Sequence, residues 1–352
     1  MEVTLLLMLQ TMDGNLIIQN HTEQHYQTIF NRKTGFFLRI EDEGWPEPFW
    51  SSNGPELFDI SITNYCERGC SFCYRQANKN GKHIVYEKLL SIVKQAKKIG
   101  VLQIALGGGN PNQHPQFTNI LQMIREHGII PSYTTNGDGL TDEVLAATAS
   151  FCGAMAVSLY PPYDHYENLI WRIKEYSIKV NLHIILKSDT IEILMQWLQN
   201  PPLFFSHINA LIILNYKRIG TKEDLSIKDK AQLEAFYSIV SKCRFVKIGF
   251  DSCSVPGIVT WMNINSSLIE SCEAARFSAF IAEDLKMYPC SFMVGSDNYG
   301  DLNSESLLDV WQTNQAFELH RERIKQNKCS NCMHQSLCNG GCVFMPEINQ
   351  CT

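Results

Sequence analysis

No apolar run among the 352 residues reaches the length that a membrane-crossing helix needs, so no membrane partner is expected. Positive charge is not in excess either. The chain has 30 Lys and Arg against 36 Asp and Glu, and a net charge of -6 offers no footprint for nucleic acid. The opening stretch, Met1 to Leu9, lacks a cationic leader and a small-residue cleavage site, which argues against a secretory signal. Cysteine, by contrast, is plentiful, with 13 residues. That number suits a secreted disulfide scaffold, but such scaffolds are short, and here the cysteines bunch in two regions of a long chain. A reducing, cytoplasmic setting fits better. With 45% hydrophobic residues the chain can bury a large core, in one domain or two.

The first cysteine group follows Leu57-Phe-Asp-Ile-Ser-Ile62, a short run with β-branched residues that predicts a strand. Next comes Thr63-Asn-Tyr-Cys66-Glu-Arg-Gly-Cys70-Ser-Phe72-Cys73-Tyr74, with the spacing Cys-x3-Cys-x2-Cys. Loops leaving strands are where α/β enzymes place their chemistry. Three thiolates can hold three irons of a [4Fe–4S] cube and leave the fourth open to a substrate or cofactor. Cys66, Cys70 and Cys73 are therefore the catalytic candidates. A zinc site is the alternative, but zinc prefers four ligands, and only three cysteines occur before Cys152.

This spacing, with Phe72 just before the last cysteine, closely resembles the radical S-adenosylmethionine (SAM) superfamily. The resemblance implies that the open iron chelates SAM and that the reduced cluster cleaves it to a 5′-deoxyadenosyl radical. Phe72 and Tyr74 would then lie beside the cofactor. Strand-like runs recur at 102–106, 129–134, 154–159, 180–186 and 210–214, with helical stripes between them, as in Val85, Leu89, Ile92, Val93 and Ala96. Alternating strands and helices imply a parallel sheet with right-handed crossovers. The expected fold is α/β: the partial (β/α)6 TIM-like barrel that the resemblance implies over residues 57–250, with a small cysteine-rich domain over 251–352. Residues 1–56 read as a β-rich extension covering the open edge of the barrel.

The strand ends add to this. Gly107-Gly108-Gly109-Asn110-Pro111 follows the second strand, and glycines there let backbone approach a ligand closely. The run resembles the Gly-Gly-Glu-Pro motif that holds the SAM amino group, with Asn110 in place of glutamate. Thr135 and Asn136 end the third strand, and Ser158 ends the fourth at a position where family members contact the ribose. Asn136-Gly137 also reads as a plain turn. Lys187, Tyr216 and Arg218 follow later strands and point to the same face, whereas His183 inside its apolar strand reads as structural.

The C-terminal quarter holds Cys272, Cys290, Cys329, Cys332, Cys338, Cys342 and Cys351. This arrangement resembles the SPASM extension of radical SAM enzymes that mature peptides, which binds two auxiliary [4Fe–4S] clusters. The resemblance assigns Cys272, Cys290 and Cys342 to the first, with Cys253 as a candidate fourth ligand or hydrogen donor. It assigns Cys329, Cys332, Cys338 and Cys351 to the second. The alternative here is a zinc ribbon. Cys152 and Cys243 read as buried thiols at helix ends. Sulfatase-maturing relatives carry an aspartate where Ser291 stands, which argues against formylglycine chemistry. The implied activity is hydrogen abstraction from a ribosomally made peptide, leading to cross-linking, oxidation or epimerisation, with a flavodoxin or ferredoxin as reductant. The alternatives are radical chemistry on a small molecule and a zinc-stabilised binding protein without catalysis. About fifty-six residues precede the barrel, too few for the usual winged peptide-binding domain, so leader recognition is expected at the short extension, at the barrel mouth or on another protein.

Overall fold

A computed structural model describes residues 15–220, 223–265, 269–327, 329 and 331–351. Residues 1–14 of the expected N-terminal extension lie outside them. Among the described residues no helix is long and apolar enough to cross a membrane.

The barrel is built from seven strands in strict chain order. They are β4 (Leu57–Thr63), β5 (Gln103–Gly108), β6 (Ile130–Thr135), β7 (Ala154–Ser158), β8 (Val180–Leu186), β9 (Ala210–Asn215) and β10 (Ile248–Phe250). Each pairs in parallel with the next. Six helices supply the crossovers: α1 (Tyr86–Lys98), α2 (Phe117–Glu126), α3 (Asp142–Phe151), α4 (Tyr166–Glu175), α5 (Ile191–Gln199) and α6 (Lys230–Lys242). The strands of the sequence reading are thus present, and the three-residue β10 is the seventh, leading to Cys253. On α1 the inward stripe is Leu89, Ile92, Val93 and Ala96, all buried, and it belongs to the same core as Phe58, Ile60 and Ile62 of β4. Val85 does not join it: it is the extended N-cap residue and is exposed. Thr141 caps α3, its hydroxyl accepting from the Val144 amide at 3.2 Å.

The sheet does not end at β4. β11 (Ser278–Ile281) adds to it in parallel, Ser278 opposite Leu57 and Ile281 opposite Ile60. β12 (Lys286–Tyr288) and β13 (Gly300–Asp301) follow antiparallel, completing the order β10-β9-β8-β7-β6-β5-β4-β11-β12-β13. α7 (Val255–Trp261), α8 (Leu307–Thr313), α9 (Gln315–Gln326) and the short α10 (Gln335–Cys338) complete the C-terminal region.

This corrects the expected role of the N-terminal extension. It forms its own antiparallel sheet of β1 (Leu16–His21), β2 (Tyr26–Asn31) and β3 (Phe37–Glu41). The edge of β4 is taken by β11, so the extension has no edge to cover there. It packs at the opposite end of the strands from their C-terminal mouth. Phe30 clusters with Leu102 and Ile130 at the starts of β5 and β6, and Gln19 Nε2 donates to the Gly100 carbonyl at 2.8 Å.

Candidate functional site

The cysteine loop leaves β4 and is pinned by its own backbone. The Cys66 amide donates to Asn78 O at 3.1 Å, and the Cys73 amide to Cys70 O at 3.1 Å. The glycine run at the end of β5 lies directly against this loop. Gly109 N donates to Thr63 O at 2.7 Å and Asn110 N to Tyr65 O at 2.9 Å. A Cβ on Gly108 would sit 2.0 Å from Thr63 O, and one on Gly109 2.0 Å from Tyr65 O. Glycine is thus required for the strand end to meet the cysteine loop, a reason separate from any ligand.

Cys66, Cys70 and Cys73 face a cavity of about 410 Å³ inside the strand ends. Phe72, Tyr74, Gly108, Gly109, Thr135, Asn136 and Ser158 line it with them. Asn136 Nδ2 lies 3.7 Å from Cys66 Sγ, so it can donate to the sulfur. Asn110, Pro111 and Lys187 are not among the lining residues. The Asn110 amide faces the loop after β6: Nδ2 donates to Asp138 O at 2.9 Å, and Oδ1 accepts from the Thr135 hydroxyl at 2.9 Å. Pro111 opens a buried 3-10 turn, and Lys187 is buried in an ion pair with Asp189.

Several lining residues had no role in the sequence reading. His183 lines the cavity, and burial lowers its pKa to about 4, which keeps the imidazole neutral. Of the residues after β9, Tyr216 reaches the cavity, as does Lys217, whereas Arg218 does not. Lys217 is buried and paired with Asp251, and its ammonium also donates to Asn215 O at 2.9 Å. Asp251 attracts Lys217, which holds it charged against its burial. Polar residues directly after the apolar β9 were a signal for Lys217, but only its two neighbours were read as facing the site. Asp59 on β4, the one acid of the strand-forming run 57–62, also lines the cavity.

The other cysteines fall into two groups. Cys253, Cys272, Cys290 and Cys342 line one small pocket between the end of the barrel and the C-terminal region. Burial pushes the thiols of Cys253 and Cys272 up and that of Cys290 up to about 12. Such buried thiols ionise only with a cation beside them, as a metal cluster supplies. Near the end of the described chain, Cys338 and Cys351 are electrostatic neighbours, Cys329 acts on both, and Cys332 acts on Cys351. Gln335 braces this group by accepting from the Cys329 amide at 2.8 Å. Among the described residues no three His, Cys, Asp or Glu side chains are placed to hold a single metal ion. All-thiolate groups of three, four and four match the soft donor sets of [4Fe–4S] clusters. Cys152 and Cys243 end α3 and α6 and pack against the barrel core.

Two domain models match the chain: the radical SAM superfamily over residues 60–192, and SPASM, an iron–sulfur cluster-binding domain, over 272–333. The chain carries a radical SAM domain followed by a SPASM domain. Its cofactors are [4Fe–4S] clusters and SAM. The SPASM match stops before Cys338, Cys342 and Cys351, which the fold nonetheless brings back to the other cysteines. This radical SAM protein is 21% identical over 319 residues to the mycofactocin maturase MftC of Mycolicibacterium smegmatis, covering 83% of this chain and 79% of that one. Its fold matches that of Streptococcus suis SuiB in a crystal structure with the precursor peptide SuiA. The TM-score is 0.75 at 16% identity, over 95% of this chain and 96% of SuiB. anSMEcpe, crystallised with SAM and a peptide, matches with a TM-score of 0.58 at 18% identity, over 81% of this chain and 88% of that one.

Proposed function

We propose that this radical SAM enzyme modifies a ribosomally made peptide, through hydrogen abstraction followed by oxidation of the substrate. The observation that carries this reading is the reach of the cavity. Cys66, Cys70 and Cys73 stand on one wall, and Ser291 and Phe292, directly after Cys290, stand on another. A side chain held there lies between the first cysteine group and the first auxiliary group. Two comparisons support it: MftC is a maturase, and the SuiB fold was crystallised with a precursor peptide.

Cys66, Cys70 and Cys73 hold the cluster that binds SAM. Cys253, Cys272, Cys290 and Cys342 hold one auxiliary cluster, and Cys329, Cys332, Cys338 and Cys351 the other. When bound, the first cluster and SAM supply a 5′-deoxyadenosyl radical, and the auxiliary clusters supply an electron acceptor. The protein's own part is placement. Asn136 donates to the Cys66 sulfur, while Gly108 and Gly109 bring the end of β5 against the cysteine loop. The apolar walls at Phe72, Tyr160 and Phe292 would exclude water once a substrate fills the cavity. Lys217 places a fixed positive charge near Cys253 and Cys290, where buried thiolates need one.

The test is 5′-deoxyadenosine production by the reconstituted protein with SAM, dithionite and any short peptide found to be encoded beside its gene, with peptide mass read in parallel. Replacing Cys66, Cys70 and Cys73 by Ala is expected to abolish 5′-deoxyadenosine. Production that survives would remove these residues from the catalytic role. A peptide of unchanged mass, with turnover stimulated by a small molecule instead, would overturn the peptide reading.

A further inference from the structure

Side chains along β4 alternate between the helical layer and the barrel interior. Phe58, Ile60 and Ile62 pack into the main core, while the Asp59 side chain opens into the cavity. Its neighbours in register are Ala105 on β5 and Phe280 on β11, both apolar and both lining the same cavity. Among the described residues the Asp59 carboxylate makes no hydrogen bond and no ion pair; its one electrostatic neighbour is the Tyr74 phenol. The side chain is open to the cavity, so solvent alone holds its charge, and a cationic group that displaces that water can pair with it.

The other charges around the cavity are already matched. Lys217 is paired with Asp251, Arg75 with Glu283 at 2.7 Å, and Lys187 with Asp189. Arg68 lies 4.9 Å from the centre of the Tyr160 ring, beside Cys70, whose thiolate form it favours. His183 is held neutral. Asp59 is also deep. It stands four residues before Thr63, where β4 meets the cysteine loop, a strand length of about 13 Å. A partner entering from the strand ends must therefore carry its positive charge on a long arm. Lysine and arginine are the side chains with apolar stems and cationic heads of that kind.

We propose that Asp59 is a specificity residue that receives the ammonium or guanidinium group of a lysine or arginine in the substrate peptide. This rests on the peptide reading of the same site. It fixes which neighbour the reacting residue must have: a basic residue anchored at the barrel floor, holding the adjacent backbone below the cofactor.

The test uses the reconstituted full-length protein with SAM bound, under anaerobic conditions. The probes are acetyl-Ala-Arg-Ala-amide, its citrulline counterpart (which keeps the shape of arginine and removes the charge), acetyl-Ala-Lys-Ala-amide, and agmatine as a cation without a peptide. Binding is read by calorimetry, and iron content and thermal melting confirm that each variant is folded. The cationic tripeptides are expected to bind about tenfold more tightly than the citrulline form, the factor that one charge-assisted hydrogen bond gives. Asp59→Asn is expected to bring that ratio to about one, and Asp59→Glu to keep it. Asp59→Lys is expected to favour acetyl-Ala-Glu-Ala-amide over its glutamine counterpart. Equal binding of the arginine and citrulline peptides, absence of binding by every cation, or a preference that survives Asp59→Asn would overturn the proposal. So would an Asp59→Asn variant that loses affinity for SAM while keeping the tripeptide preference, since Asp59 would then serve the cofactor. Asp59-dependent binding of agmatine alone would keep the cation site and remove the peptide reading.

Discussion

Asp59 carries its charge at a cost to the folded protein without substrate. Desolvation among the apolar cavity walls pushes its pKa up to about 6 from the usual 3.8. The folded state therefore holds a proton that the unfolded chain releases between those values. The penalty is absent at low pH, grows as pH rises through that window and is complete above it. Asp59→Asn removes the penalty. Because cavity water reaches the carboxylate, the gain is about 1 kcal/mol rather than the full equivalent of the shift. The variant is expected to unfold at higher urea than the parent at pH 8, with the advantage shrinking as pH is lowered toward 5. A constant advantage across that range would show that Asp59 keeps an ordinary carboxylate pKa in the folded protein. Strand alternation held the information needed to single this residue out, since Asp59, Ser61 and Thr63 share one face of β4 and Phe58, Ile60 and Ile62 the other. The β-branched residues that mark 57–62 as a strand do not by themselves draw attention to the lone acid on its ligand-facing side. Cys66, Cys70 and Cys73 were legible because their spacing is local. The grouping of Cys253 with Cys272, Cys290 and Cys342 spans ninety positions of chain and was available only through the family resemblance. Lys217 was missed for a related reason: its significance depends on Asp251, which chain order does not place beside it.

At the scale of elements, one arginine ties three parts of the chain together. Arg39 on β3 bonds Glu56, just before β4, through Nε and Nη2, and also bonds Glu273, just before β11. Its guanidinium lies 3.8 Å from the centre of the Phe277 ring. Burial pushes Glu56 up to about 7, with Glu273 as a like charge beside it, and the Arg39 bonds oppose that rise. Arg39→Met leaves two carboxylates facing each other without a cation, which is expected to cost about 3–5 kcal/mol at pH 8. The loss should ease as pH falls and Glu56 takes up a proton, because its folded pKa then lies further above its unfolded value. Urea unfolding at the two pH values checks the sign. Barrel strands and helices were readable from periodicity because each buries its apolar residues against its chain neighbours. The placement of the N-terminal sheet was not, since it depends on Phe30 finding Leu102 and Ile130 across the fold.

For the whole molecule, the boundary placed near residue 251 separates cysteine patterns but not folding units. β11 continues the barrel sheet at β4, and Ala275, Ala279, Ile281, Met287, Trp311 and Phe317 belong to the same apolar cluster as the helices of the barrel. Arg321 on α9 reinforces the join. It donates to Ala275 O and Trp311 O at 2.7 Å and lies 3.6 Å from the centre of the Trp50 ring. A chain ending at Phe250 would expose the paired edge of β4 and strip several large side chains of their partners. Exposed strand edges of this kind template aggregation. Leu- or Phe-sized losses of packing cost about 2–5 kcal/mol each, which together exceed the margin of a domain stable by about 5–15 kcal/mol. The truncated chain is expected to be insoluble or aggregated even under anaerobic expression. Removing only the last auxiliary cysteines by Cys332→Ala and Cys338→Ala should leave a soluble protein lacking about four irons per chain. Size-exclusion chromatography with iron analysis separates the two outcomes. A monomeric, iron-loaded fragment ending at Phe250 would show that the barrel folds without β11, and that the C-terminal region is an appendage instead of part of its wall.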